Sequence, residues 1–301
     1  MRFENEFVGL TIKEVLTSRL GFSKRAIATL KNLADGILVN GKHETVRYTI
    51  KENDVLEFKT DDETCNKEKL VPSSVLPDII YEDDYIVAIN KPPFMPTHQS
   101  QGHFYDTLAN SLAYYYEQKG RSFVFRSINR LDKNTSGVVL VAKDRLTASK
   151  LSNQMKNDGI HKSYIAILQG ELPENDGYIS TFIKRKDKSI ILREVCDEQE
   201  DAKIAITEYQ VLAKANGLSL VKATPITGRT HQLRVHFAHF GAQILGDDLY
   251  GNPSCEIARH ALHAYSLTFS HPQKEEFMQI NAPLPDDIKS IIDNNFKGIK
   301  L

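Results

Sequence analysis

Apolar positions in the first 60 residues follow two different periods. In TIKEVLTSRL, Ile12, Val15, Leu16 and Leu20 recur at helical intervals. Gly21 interrupts that pattern, and Ser23 is placed to cap a second helix, SKRAIATLKNLA, by accepting from the free amides of its first turn. DGILVNGKH then reads as a hairpin, because Asn40 and Gly41 both tolerate the positive φ that a tight turn requires. DVLEFK supplies a further strand. The spacing predicts a compact helix, basic helix and hairpin unit over residues 1–60. Residues 61–77 follow neither period: they begin with a run of charges and end in two prolines and two serines, the composition of a linker.

From residue 78 to 301 the pattern is mixed. YIVAIN, GVVLVAK, YIAILQ, IAITEYQVLA, LSLVKA and ALHAYSLTF predict strands, whereas TLANSLAYYYEQ, RLTASKLSNQMKN and DDIKSIIDNNF predict helices. The two types do not alternate regularly. This favours an α+β class, with a mixed, largely antiparallel sheet and flanking helices, over a doubly wound parallel sheet.

Composition narrows the function classes. With 38 basic and 39 acidic residues the net charge is −1, so bulk charge cannot carry nucleic-acid binding. Local charge differs: residues 10–47 hold seven basic and three acidic side chains, and residues 121–164 hold nine against three. Two basic faces are therefore expected on a near-neutral chain. Cys65, Cys196 and Cys255 lie far apart and form no CxxC, which argues against a disulfide framework or thiolate metal site. No apolar run reaches the ~18 residues of a membrane span, and MRFENEFVGL lacks a signal-peptide core, so a cytoplasmic, monomeric globular protein is expected.

Three stretches are candidates for chemistry. In FRSINRLDKNTSGVVLVAKD, Asp132 stands between Arg130 and Lys133 in a polar loop that runs straight into an apolar strand. A loop carboxylate is usually only solvated, but one set among cations is favoured as an anion and can serve as nucleophile or electrostatic stabiliser. In TPITGRTHQLRVHFAHFG, Arg229 and Arg234 flank His231 and Gln232 with no acid nearby. This set suits phosphate or carboxylate contact better than a metal, because His231 and His236 cannot share one helical face. In HKSYIAILQG, Tyr164 opens an alternating strand, where a core or rim position is the ordinary role.

Together these stretches resemble the RluA/RluD family of RNA pseudouridine synthases. INRLDKNTSG (128–137) is similar to the family's catalytic loop, KSYIAILQG to its tyrosine segment and GRTHQLRVH (228–236) to its basic segment. INKPPFMPTH, ILGDDLYG and RHALHAYSLTFSHP also match. The N-terminal unit is similar to a small RNA-binding domain first known from a ribosomal small-subunit protein. One position departs from the pattern: Asn129 stands where the family usually has His. The resemblance implies isomerisation of a uridine in structured RNA without a cofactor or metal, with ribosomal large-subunit RNA favoured and transfer RNA second. It implies Asp132, Arg234 and Tyr164 as catalytic residues, with the Arg234 fork paired to Asp132 and Tyr164 stacked on the uracil. RNA contacts would come from Asn129, Arg130, Lys133, Arg229, His231 and Gln232, and from Lys24 and Arg25 in the small unit. Whether Asp132 attacks the sugar or the base, or removes a ribose proton, stays open. A non-catalytic RNA clamp is one alternative. A glycosidase is another, disfavoured because these stretches offer one acid where that chemistry needs two.

Overall fold

The computed structural model describes residues 1–59, 70–274 and 276–299, without the Arg25 side chain. Strand β1 (Arg2–Glu4) precedes a short helical segment, α1 (Ile12–Glu14), which continues as a π-helical turn, Val15–Arg19. The helical spacing predicted here is thus met by a widened turn: Leu20 N donates to Val15 O at 2.9 Å. Helix α2 (Lys24–Lys31) is capped by Ser23, whose Oγ accepts from Ala26 N at 3.2 Å. Strands β2 (Ile37–Val39), β3 (Lys42–His43) and β4 (Val55–Phe58) complete a four-stranded sheet in the order β1-β4-β2-β3. The β2–β3 turn has Asn40 at φ 52° and Gly41 at φ 75°. Ile12, Leu16, Leu30, Ile37 and Leu56 form its core, to which Leu146 of the following unit contributes.

The larger sheet has ten strands: β5 (Ile79–Glu82), β6 (Ile86–Lys91), β7 (Ser136–Ala142), β8 (Ile160–Gln169), β9 (Asp176–Arg185), β10 (Arg193–Cys196), β11 (Lys203–Ala215), β12 (Leu218–Pro225), β13 (Leu262–Ser270) and β14 (Phe277–Asn281). Its path is β10-β9-β11-β12-β8-β13-β7-β6-β5, with β14 on β13. Every pairing is antiparallel except that of β13 with β7. The helices are α3 (Leu108–Gln118), α4 (Arg145–Lys156), α5 (Gln232–His239) and α6 (Asp286–Asn295). No helix among the described residues is long and apolar enough to cross a membrane.

Around β7 the sheet is buried on both faces, which explains the unbroken apolar run of that strand. Val139 and Val141 pack with Leu112 of α3, Leu233 of α5 and Ile288 of α6 on one side. Val138 and Leu140 pack with Leu151 of α4 and Phe269 on the other. Strands β5, β9, β10 and β14 went unpredicted; their short or half-exposed patterns carry little periodic signal. The last residue of the expected small unit, 60, and part of the expected linker, 61–69, lie outside the described residues. Val71 and Val75 are tied to α3 through bonds from Asn110 Nδ2 (2.7 Å) and Ser111 Oγ (2.8 Å) to their carbonyls.

The parallel contact matters for the site. β7 begins directly after the Asp132 loop, and Gly137 lies there at φ 117° with its backbone against β13. A Cβ at Gly137 would stand 2.2 Å from Ala264 O, so no other residue fits without moving the strands.

Three buried histidines use neutral imidazoles. His236 lies between the hydroxyls of Thr207 (3.0 Å) and Thr181 (3.1 Å), and His263 between Ser136 Oγ (2.9 Å) and Ala282 O (3.3 Å). His260 Nε2 is 2.7 Å from Thr135 Oγ1. Burial depresses their pKa values to about 4, 4 and 3 respectively. The unfolded chain, with histidines near ~6.5, binds more protons below that pH, so stability is present above it and is lost on acidification. Urea unfolding should show stability falling between pH 6.5 and 5, by up to ~1.4 kcal/mol per pH unit for each histidine. A midpoint unchanged over that interval would contradict their neutral burial.

Candidate active site

Asp132 sits at one wall of a cavity of about 510 Å³ between the β7 loop, β8 and the N-terminal end of α5, within the usual size range for small-molecule sites. Its side chain is 26% exposed. The loop that carries it is pinned from beneath. Thr97 Oγ1 donates to Leu131 O (2.9 Å) and accepts from Leu131 N (3.2 Å). The ammonium of Lys91, fully buried, donates to the carbonyls of Pro92 (2.8 Å), Met95 (2.8 Å) and Lys133 (3.2 Å). Burial lowers its pKa to about 7, with Asp132 pulling the other way. Arg259, also buried, reaches Asn134 O (3.0 Å) and Ser136 Oγ (3.3 Å) while its fork grips Asp287 (2.7 and 2.9 Å). The Thr97 hydroxyl therefore fixes the loop just before Asp132, and two cations fastened to carbonyls fix it just after.

Arg234 enters from α5, where its side chain is almost wholly buried. The expectation that its fork would face Asp132 is corrected by the structure. Nε and Nη2 bond the two oxygens of Asp247 at 2.7 and 2.6 Å, and Nη1 stands 4.0 Å from Asp132 Oδ2. The reason is burial: Asp247 is itself excluded from water and needs the bidentate partner more than the half-exposed Asp132 does. Burial alone would depress the Arg234 guanidinium, but the bond and charge of Asp247, with Asp132 behind them, hold its pKa above the ordinary value. Burial likewise pushes Asp247 up, and Arg234 more than offsets it.

His231 flanks the carboxylate from the other side, with Nε2 3.8 Å from Asp132 Oδ2 and Nδ1 2.8 Å from Tyr250 Oη. It occupies the left-handed region (φ 57°) at the start of α5 and makes no side-chain cap, leaving the imidazole to the site. Burial lowers its pKa, against the pull of Asp132. Tyr164 lines the same cavity from β8, where it pairs with Ala223 and Ala264, so small neighbours leave its ring room. Burial, then the Asp132 charge, raises its phenol pKa, keeping the ring neutral.

Two expected RNA contacts are structural instead. Asn129, buried, donates to Val138 O and accepts from Leu140 N, both at 2.9 Å, holding its loop to β7. Gln232, also buried, spends its amide on Thr227, Arg229 N, Ile206 O and Thr207. Arg229 lines the cavity but bonds Ile204 O at 2.9 Å, away from Asp132. Arg130 is exposed at the cavity and Lys133 is exposed beside it, 3.3 Å from His103 Nε2. Lys24 is exposed on α2, outside the cavity. Sequence reasoning missed Lys91, Thr97, Asp247, Tyr250 and Arg259, although each lies in a stretch already matched to the family.

Residues 85–239 match the family model described as RNA pseudouridylate synthase. The uncharacterized RNA pseudouridine synthase YjbO of Bacillus subtilis is 37% identical over 94% of this chain and 98% of its own. The chain belongs to the RNA pseudouridine synthase family. The ribosomal large subunit pseudouridine synthase C of Vibrio vulnificus is 31% identical to this synthase over 86% of the chain and 84% of the relative. The solved human RNA pseudouridylate synthase domain containing 1 superposes with a TM-score of 0.58 at 29% identity, over 69% of this chain and 84% of that one. The synthase therefore acts on RNA, turning uridine into pseudouridine.

The buried pairing of Arg234 with Asp247 sets a prediction. Asp247→Asn leaves a buried guanidinium half-paired and should lower stability by about 3–5 kcal/mol in urea unfolding. Arg234→Lys keeps a charge but cannot hold the fork, so it should lose turnover as well as stability. If Asp247→Asn unfolds like the parent, the buried pair is not what holds Arg234 in place.

Proposed function

We propose that the synthase isomerises uridine in large-subunit ribosomal RNA, with Asp132 as its catalytic carboxylate and the target nucleotide turned out of its stack into the cavity. The observation that carries this is the state of the Asp132 side chain. Among the described residues it accepts no hydrogen bond, yet it lies between a guanidinium and an imidazole and opens into the cavity. A carboxylate so placed is oriented by charge while its oxygens stay available to substrate. Relatives named as ribosomal large subunit pseudouridine synthases C and D support the choice of RNA.

The reaction breaks the bond from ribose C1′ to uracil N1, turns the ring and joins C1′ to C5, after which the C5 proton is lost and N1 gains one. A base inside folded RNA is out of reach, so the nucleotide must leave its stack at a cost of a few kcal/mol. Tyr164 offers the ring face that offsets part of this, about 1–3 kcal/mol for a stacked base. Arg130, exposed beside Asp132, meets the phosphates and the space the nucleotide leaves. The N-terminal unit, residues 1–60 with its linker at 61–77, adds RNA affinity through Lys24 and Arg25 and takes no part in the chemistry.

Two measurements test this. Asp132→Asn removes both nucleophile and base, so release of tritium from carbon-5-labelled uridine in RNA should fall to background while RNA affinity stays within a few-fold. Measurable pseudouridine formation by this variant would end the assignment. Lys24→Ala with Arg25→Ala in the full chain should weaken RNA binding and lower its salt slope by roughly 0.7–0.9 for each phosphate that is no longer neutralised. An unchanged slope would remove the small unit from the RNA interface.

A further inference from the structure

Three of the six exposed aromatic side chains among the described residues fall within positions 94–105: Phe94, Phe104 and Tyr105, 52%, 54% and 65% exposed. Scattered apolar side chains on a surface are ordinary. This group is clustered in sequence and lies on a segment that is held against the catalytic loop. Lys91 Nζ bonds both Met95 O (2.8 Å) and Lys133 O (3.2 Å), so the residue after Phe94 and the residue after Asp132 meet on one ammonium. Thr97 is bonded to Leu131 in the same way. At the other end, Gln99 Nε2 (2.6 Å) and Asn110 Nδ2 (3.1 Å) both donate to Phe104 O, and His103 stands 3.3 Å from the Lys133 ammonium.

Phe94 adds a second feature. It sits at φ 65°, a region that bulky residues rarely adopt and where glycine is at ease. The strain leaves the ring half exposed. Packing alone does not account for a strained, half-exposed aromatic beside the Asp132 loop.

Resting on the function proposed above, we infer that Phe94, Phe104 and Tyr105 form a stacking platform for unpaired nucleobases flanking the target uridine, so that the RNA is recognised in single-stranded form around the site. The aromatic segment is bonded to the loop that carries Arg130 and Lys133, cations that form no ion pair among the described residues, and rings with cations match the two components of such RNA, its π-faces and its phosphates. A paired helix hides its base faces and could not use the platform.

The test uses the full chain and a seven-nucleotide uridine-rich RNA with one 2-aminopurine, alone or annealed to its complement. Phe94→Gly should melt no lower than the parent, because glycine relieves the backbone, yet bind the single strand roughly 5- to 100-fold more weakly. Phe104→Ala with Tyr105→Ala should do the same, and both should lose quenching of the 2-aminopurine. Salt slopes should stay unchanged, since every cation that meets a phosphate is still present, and duplex binding should be unaffected. Unchanged single-strand affinity and quenching in both variants, or an equal loss with the duplex, would overturn the platform. Asp132→Asn should keep both affinity and quenching, so failure of the platform and failure of the catalytic assignment read out separately.

Discussion

A buried guanidinium costs several kcal/mol unless it is paired with good geometry, and in this protein that requirement sits at the centre of the site. Arg234 has three carboxylates within reach, Asp247, the exposed Asp248 (3.6 Å) and Asp132, and only one fork. Asp247, with no access to water, takes the fork; Asp132 receives the remaining nitrogen at 4.0 Å. Asp132 is thereby attracted without being consumed. Had Asp247 and Asp132 exchanged partners, Asp132 would be locked in a bidentate bond and a buried carboxylate would stand half-paired. The division follows from burial and needs nothing specific to RNA.

The same economy of charge holds the loop around Asp132. Backbone carbonyls at a sharp loop lack ladder partners and are costly to bury unsatisfied. Lys91 answers the Lys133 carbonyl and Arg259 that of Asn134, each while also bonding carbonyls of a neighbouring segment, and Arg259 is in turn neutralised by Asp287 at the start of α6. A helix distant in sequence is thus coupled to the Asp132 loop through one side chain. Gly137 makes the arrangement steric as well as electrostatic, because β13 approaches too closely for any Cβ.

How much of this was legible in the sequence depended on which physical signal a residue carries. Central strands and capped helices announce themselves by period, so β6, β7, β8, α3 and α4 were readable. Edge strands such as β10 and β14 carry little apolar alternation and were not. Asp132 was visible because an acid among cations is conspicuous. Asn129 and Gln232 were misjudged because an amide in a polar motif looks the same whether it meets a phosphate or a backbone, and only the fold supplies Val138, Leu140 and Ile206 as partners. The Arg234 fork was misdirected for a related reason. Its true partner lies thirteen residues on, in a stretch matched to the family but given no role.

Asn129 shows how a departure from the family pattern can be read once geometry is available. The family's usual histidine at this position invites a proton-transfer role. In this chain the side chain is buried and satisfies two backbone groups of β7, one as donor and one as acceptor. A neutral imidazole also presents one donor and one acceptor, so either residue can tie the loop to the strand. The position then calls for paired hydrogen-bonding capacity and not for titration, and the substitution leaves Asp132 and the groups that face it in place.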